Sequence, residues 1–100
     1  MRRKVDTLLK IGMLFEQLGN FTQAQRSYEA ALSHNDKNFK IYQHLAWCNF
    51  QNGQIHAALE FIAKAERRSK GNVESLYIKG RCYLVLEKYK ESYECLQAAA

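Results

Sequence analysis

Apolar and small residues recur along the chain at the spacing of amphipathic helices. In two neighbouring stretches they fall three or four positions apart, first at Leu8, Ile11, Gly12 and Phe15 and then at Ala24, Tyr28 and Ala31. This spacing lines up one face of a helix, so the pattern predicts two helices in succession. Between them stands the pair Gly19-Asn20, whose residue types favour a turn.

The two-helix pattern returns when the chain is compared with itself at an offset of 34 residues. Three repeat positions hold only small residues: Gly12, Ala46 and Gly80; Ala24, Ala58 and Ser92; Ala31, Ala65 and Ala99. A small residue lets two crossing helices approach, and a bulky neighbour fills the space beside it. We therefore predict an all-α domain of about six helices, with repeats at 5–38, 39–72 and 73–100. The third repeat is shortened, which suggests a piece of a longer protein.

Turn and cap residues fall where this arrangement needs them. Asn52-Gly53 and, with a weaker signal, Glu87-Lys88 match the first turn inside the hairpin. Between the repeats, Asn38 and Asn72 can cap the helix that follows. Asn35 and Gly71 suit the left-handed conformation that ends a helix.

These residues resemble the tetratricopeptide repeat family over positions 5–100. The match is carried by Leu8, Ile11, Gly12, Phe15, Gly19, Phe21, Ala24, Tyr28 and Ala31. The resemblance implies a right-handed superhelical stack of antiparallel hairpins whose first helices line a concave face. The chain departs from the family at Asn49, where an aromatic residue is usual, at Lys79, where leucine is usual, and at Asp36 and Lys70, where proline is frequent.

The resemblance implies that function resides on first-helix positions of the concave face. We expect the partner-binding residues to be Met13, Gln17, Lys40, His44, Trp47, Gln51, Tyr77 and Arg81. Aromatic and arginine side chains dominate interface energetics, so this set favours a scaffold that binds a peptide or helix of a partner protein.

Packing is the alternative role for several residues on these first helices. Trp47 and Tyr77 could equally form core between neighbouring first helices, and we expect Leu9 and Leu84 to be core. Gln43 and Ile78 project to the concave face, free of packing. Chaperone-binding members of the family hold a terminal carboxylate with lysine, arginine and asparagine; that set is missing here, so we expect no binding of an acidic chaperone tail.

A more specific resemblance lies in residues 11–19 and 24–28, which are similar to repeats of the Ssn6-type general transcriptional corepressors. It implies a nuclear adaptor that joins DNA-bound repressors to a WD-repeat corepressor partner without binding nucleic acid directly. Without that role, the expected location is the cytoplasm. No stretch reaches the 18 or more apolar residues of a membrane span, so we expect an intracellular protein with no membrane contact.

Composition favours no chemistry. The three cysteines Cys48, Cys82 and Cys95 lack metal spacing and are expected to be free thiols, and no two of the three histidines stand four residues apart. No catalytic signature appears, so we predict no enzyme, no cofactor and no metal.

Two other functions remain as alternatives. The net charge of +5 allows an RNA-binding repeat module, although acidic Asp6, Glu16 and Glu74 interrupt any basic track on the concave face. Self-association through the uncapped last helix is the other alternative.

Overall fold

The computed structural model describes residues 2–34 and 37–100, and of Arg2 only the backbone. This part of the chain contains no strand and forms six helices: α1 (Arg2–Gln17), α2 (Phe21–His34), α3 (Phe39–Gln51), α4 (Ile55–Arg68), α5 (Val73–Val85) and α6 (Tyr89–Ala99). Three hairpins, α1/α2, α3/α4 and α5/α6, pack one on the next through contacts of α2 with α3 and of α4 with α5. The predicted all-α class and the number of helices are confirmed.

The small residues lie where helices cross. Eight of the nine are buried, and Ala99 in the last turn of α6 is half-buried. A Cβ atom on Gly12 would come within 2.5 Å of the Tyr28 ring, and one on Gly80 within 2.7 Å of the Leu96 side chain. The close approach of first and second helices therefore depends on these positions having no side chain or a short one.

Two apolar clusters hold the hairpins together. At the α2–α3 junction, the first cluster contains Val5, Ala24, Tyr28, Ala31, Ile41, Leu45 and Cys48. At the α4–α5 junction, the second cluster contains Ala46, Ala58, Ile62, Ile78 and Cys82. Each helix thus buries its apolar stripe against its hairpin partner and against the neighbouring hairpin, which is how a repeat stack forms a continuous core.

Asparagine side chains begin two of the first helices, as predicted. The Asn38 Oδ1 atom accepts a hydrogen bond from the Lys40 backbone N–H at 3.0 Å. The Asn72 Oδ1 atom accepts one from the Glu74 backbone N–H, also at 3.0 Å. Both bonds satisfy a backbone donor that the first turn of a helix leaves without an intrahelical partner.

Left-handed backbone marks the turn inside each hairpin. Gly19 and Gly53 have φ angles of +76° and +78°, and Glu87 holds the equivalent place with φ +61°. Gly71 is also left-handed, with φ +70°, as expected for the end of α4. The matching expectation for Asn35 lies outside the described residues, as does the family departure at Asp36.

Replacing Glu87 with glycine is expected to raise the free energy of unfolding by about 1 kcal/mol, because a side chain costs about 1–2 kcal/mol in left-handed backbone. Urea titration followed by circular dichroism measures the change. Glu87→Ala is the matched control, since it removes the carboxylate and keeps the Cβ atom. A gain of the same size in both variants would show that the carboxylate, and not the backbone, is the source.

Equivalent positions in the two junctions carry different side-chain pairs. At the α2–α3 junction, the Gln25 Nε2 group donates to the Oδ1 atom of Asn49, which is buried where the family usually has an aromatic residue. At the α4–α5 junction, the same two repeat positions hold Leu59 and Tyr83, both partly buried. The departure at Asn49 is therefore accommodated by a polar partner on the preceding hairpin.

A second pair of positions differs in the same way. Leu32 packs against the first cluster, which contains Leu45. The equivalent residues at the α4–α5 junction are Glu66 and Lys79, whose Oε1 and Nζ atoms lie 3.3 Å apart. Partial burial alone would lower the pKa of Lys79, but the Glu66 carboxylate outweighs it and raises that pKa. The family departure at Lys79 is thus matched by a carboxylate on α4.

Candidate functional site

A groove with a volume of about 580 Å³ runs along the first helices, between α3 and α5. Its long walls come from α3 and α5, while α1 contributes one residue and α6 another. The residues that line it are Glu16, Phe39, Lys40, Gln43, His44, Trp47, Asn72, Val73, Glu74, Tyr77, Ile78 and Ala99. Aromatic and aliphatic side chains cover most of the wall, and the charged groups come from Glu16, Lys40 and Glu74.

Half of the predicted partner-binding residues meet in this groove: Lys40, His44, Trp47 and Tyr77. Met13 and Gln17 are exposed on α1, and Gln51 is exposed at the end of α3, all outside the groove lining. Arg81 also lies outside the lining but is joined to it, because its Nη1 atom donates to the Tyr77 hydroxyl at 2.6 Å.

Trp47 and Tyr77 face the groove with different degrees of support. The Trp47 ring is half-buried, packs against the second cluster and stacks on Phe50 with 5.6 Å between ring centroids. Tyr77 is exposed. The Arg81 guanidinium group lies over the Phe50 ring, 5.3 Å from its centroid, and over the Tyr77 ring at 5.5 Å. Trp47 therefore combines the groove and packing roles, whereas Tyr77 is a groove residue.

Two residues projected to be free of packing are buried. Gln43 and Ile78 are only 9% and 6% exposed, so that prediction is wrong, and both form the floor of the groove. The Gln43 Nε2 atom donates to Asn72 Oδ1 at 2.6 Å and to Ser75 Oγ at 2.8 Å. Because Asn72 also caps α5, this amide ties the middle of one wall to the start of the other.

The two leucines expected in the core have different outcomes. Leu9 is half-buried and packs against the first cluster, as predicted. Leu84 is 46% exposed, so the prediction for it is wrong. Its repeat equivalent Phe50 is covered by Arg81 from the next hairpin, and no helix in the described part of the chain plays that role for Leu84.

A buried polar cluster stands beside the groove where α1, α2 and α3 meet. The Tyr28 hydroxyl donates to the Glu16 carboxylate, and His44 Nδ1 lies 2.8 Å from Glu16 Oε2. The Tyr28 and His44 rings stack with 4.8 Å between centroids. Burial, and then the hydrogen bond to Glu16, raise the pKa of Tyr28. The phenol therefore stays protonated and holds the Glu16 carboxylate in place.

The thiols and acidic groups form no reactive centre among the described residues. All three cysteines are free, and burial raises the pKa of Cys48 to about 12 and that of Cys82 to about 11. Both are thus protonated at neutral pH, a state in which a thiol is a weak nucleophile and a weak metal ligand. Over residues 2–34 and 37–100, no cluster of three histidine, cysteine or acidic side chains could hold a metal ion. In the same range, no helix is long and apolar enough to cross a membrane.

Sequence reasoning missed several residues of the groove lining. Phe39 and Val73 begin α3 and α5, and Val5 is their repeat equivalent in α1. An apolar residue at the same place in three repeats was a signal that could have revealed them. Nothing in the pattern marked Ala99, which reaches the groove because the end of α6 lies beside the start of α5.

Comparison with known proteins places the chain in a family. The model of the family described as anaphase-promoting complex, cyclosome, subunit 3 matches residues 17–99. The chain is 31% identical over 64 residues, 60% of its length, to the general transcriptional corepressor ssn6 of Schizosaccharomyces pombe. It is 27% identical over 71 residues, 68% of its length, to the general transcriptional corepressor trfA of Dictyostelium discoideum. The aligned segments are only 6% and 5% of those relatives' lengths.

Solved structures show the same architecture. The second TPR of Spaghetti (RPAP3), bound to the HSP90 peptide SRMEEVD, has a TM-score of 0.89 at 14% identity, over 96% of this chain and 89% of that one. The Yersinia enterocolitica type III secretion chaperone SycD, in complex with a peptide of the translocator YopD, has a TM-score of 0.87 at 16% identity, over 94% of this chain and 72% of that one. These matches confirm the predicted solenoid. The chain belongs to the family described as anaphase-promoting complex, cyclosome, subunit 3, and its hairpins are tetratricopeptide-type repeats.

Proposed function

We propose that the chain is a protein-interaction module that binds a peptide or helix of a partner protein in the groove between α3 and α5. The observation that carries this proposal is the groove itself, a concave and largely apolar surface with a few polar groups. Its volume of about 580 Å³ lies within the range typical of ligand sites in proteins.

The groove offers a distinct place for each kind of ligand group. Trp47 and Tyr77 supply large, rigid surfaces that lose few rotamers on binding, and such residues are frequent hot spots. Lys40 is exposed at the start of α3, and Glu74 is exposed at the start of α5. A ligand with apolar side chains along its middle and charges of opposite sign at its edges fits this arrangement.

Solved relatives in fold support a peptide as the ligand. Both RPAP3 and SycD were solved with peptides bound to their tetratricopeptide hairpins. The RPAP3 peptide SRMEEVD is acidic at its end, whereas the groove of this chain lacks the basic side chains that hold such an end. We therefore propose an apolar peptide segment rather than an acidic tail, and SRMEEVD serves as the negative control.

Peptides selected from a random display library on the immobilised chain test the proposal. We expect Trp47→Ala and Tyr77→Ala each to weaken binding of a selected peptide by about tenfold or more, as interface hot spots do. Isothermal titration calorimetry measures the affinity. Tyr93→Ala is the matched control, because it removes an exposed aromatic ring on α6 outside the groove.

Trp47 also supports the second cluster, so Lys40→Glu provides a variant that reverses a groove charge on an exposed side chain. Circular dichroism verifies that each variant is folded. Undiminished binding by the folded Trp47, Tyr77 and Lys40 variants would contradict the proposal, and so would equal weakening by Tyr93→Ala.

A finer form of this proposal is an adaptor in a transcriptional corepressor complex. The two curated relatives, both general transcriptional corepressors, favour it. In this form the partners are DNA-bound repressors and a WD-repeat corepressor, the location is the nucleus, and nucleic acid is not contacted directly. Fused to a DNA-binding domain, the chain should repress a reporter gene, and Trp47→Ala should relieve that repression.

A further inference from the structure

An apolar stripe runs along the outer side of α1. Ile11, Leu14 and Leu18 are exposed, and their spacing places them on one helical face. Leu14 is 60% exposed, whereas Cys48, its equivalent in α3, is fully buried. Cys48 is covered because the preceding hairpin packs on α3. The α1 end face (Ile11, Leu14 and Leu18) is therefore the surface on which a preceding hairpin would pack.

The opposite end of the stack presents the complementary surface. Tyr89 and Tyr93 are exposed on α6, and Tyr93 has 64% of its surface accessible. Their equivalents in α4 are Ile55 and Leu59, which are partly buried and pack against the second cluster. The α6 end face (Tyr89 and Tyr93) thus corresponds to the surface of α4 that supports the next hairpin.

We propose that these two faces bind each other between copies of this chain, so that α1 of one copy packs on α6 of the next. The contact copies the α2–α3 and α4–α5 junctions that already hold the chain together. Because the two faces differ, the contact is head-to-tail and leaves a free face at each end of a dimer.

Side chains at equivalent junction positions match in polarity, and this supports a second copy as the occupant. Where the α2–α3 junction has the amide pair Gln25 and Asn49, and the α4–α5 junction has Leu59 and Tyr83, a contact between copies would place Tyr93 beside Phe15. An aromatic pair of this kind contributes about 0.5–1.5 kcal/mol beyond the area it buries.

The second pair of positions gives the same result. Leu32 and Leu45 occupy them at the first junction, and the ion pair of Glu66 and Lys79 occupies them at the second. Across copies the pair would be Ala100 and Ile11. Neither leaves a charge without a partner, so the stacked copies bury only apolar groups at these places.

Sedimentation velocity over a range of concentrations tests the proposal, with one variant for each face. Leu14→Glu spoils the α1 end face and Tyr93→Glu spoils the α6 end face; both residues are exposed, so folding should be kept. We expect the unaltered chain to gain mass with concentration and each variant alone to remain at 11.7 kDa. Mixed in equal amounts, the two variants should form a dimer of about 23 kDa, twice that mass, because each brings one intact face.

The control is Thr22→Glu, which adds the same charge to an exposed position on α2 and should associate like the unaltered chain. A chain that stays monomeric to about millimolar concentration, the range in which a weak contact is detected, would overturn the proposal. Association of either variant alone would overturn it too, since that indicates a two-fold contact. Trp47→Ala should leave the mass unchanged, which separates this surface from the peptide groove.

Discussion

Replacing Leu45 with alanine is expected to lower the free energy of unfolding by about 3 kcal/mol. Leu45 is 1% exposed and lies in the first cluster, where α3 packs on the first hairpin. Truncation of such a side chain loses its transfer free energy and leaves a cavity, a loss that ranges from about 2 to 5 kcal/mol in protein cores. Urea titration followed by circular dichroism measures the change.

Ile11→Ala is the matched control for this prediction. Ile11 occupies the same repeat position in α1 but is 38% exposed, because no described helix covers it. Measured at a dilution where the chain is monomeric, its truncation should cost about 1 kcal/mol or less, since the side chain gives up little burial on unfolding. Equal losses in the two variants would mean that the junction contributes nothing beyond the hairpin.

Replacing Gly12 with alanine is expected to lower the free energy of unfolding by about 2 kcal/mol. The added Cβ atom would lie 2.5–2.9 Å from three atoms of the Tyr28 ring. That ring is fully buried and its hydroxyl is bonded to Glu16, so it cannot withdraw. The overpacking cost of about 1–3 kcal/mol therefore exceeds the gain of up to about 1 kcal/mol in helix propensity.

Gly80→Ala tests the same repeat position against a softer neighbour. Its Cβ atom would lie 2.7 Å from the Leu96 Cγ and Cδ2 atoms. Leu96 is only half-buried, on the outermost helix, and can change rotamer to make room. We expect a change in unfolding free energy near zero, measured by the same urea titration. If Gly80→Ala were as damaging as Gly12→Ala, rigidity of the neighbour would not be the cause.

Periodicity in the sequence was enough to predict the fold, because packing in this stack depends on where small and large side chains fall. Gly12, Ala46 and Gly80 recur in register, and each lies at a close helix crossing. Their positions report backbone separation directly, and backbone separation defines the hairpin. The asparagine caps were predictable for a similar reason, since the side chain acts within two or three residues of itself.

The groove was less predictable because its lining depends on contacts between distant residues. Gln43 has the polarity of a surface residue, yet Asn72 and Ser75, about thirty residues further on, supply its hydrogen bonds and allow its burial. Met13 lies on the expected helix, but the groove is bounded by α3 and α5. A projection onto helix faces does not contain that information.

Differences between the two junctions determine the order in which the hairpins can be connected. Exchanging the second and third hairpins by circular rearrangement would place Lys79 beside Leu32, where an ammonium group would lose its carboxylate partner on entering an apolar site. Gln25 would meet Tyr83 in place of Asn49, and its amide would lose its hydrogen bond. Hairpins with a shared backbone plan are therefore not interchangeable parts, and each one recognises its own neighbour.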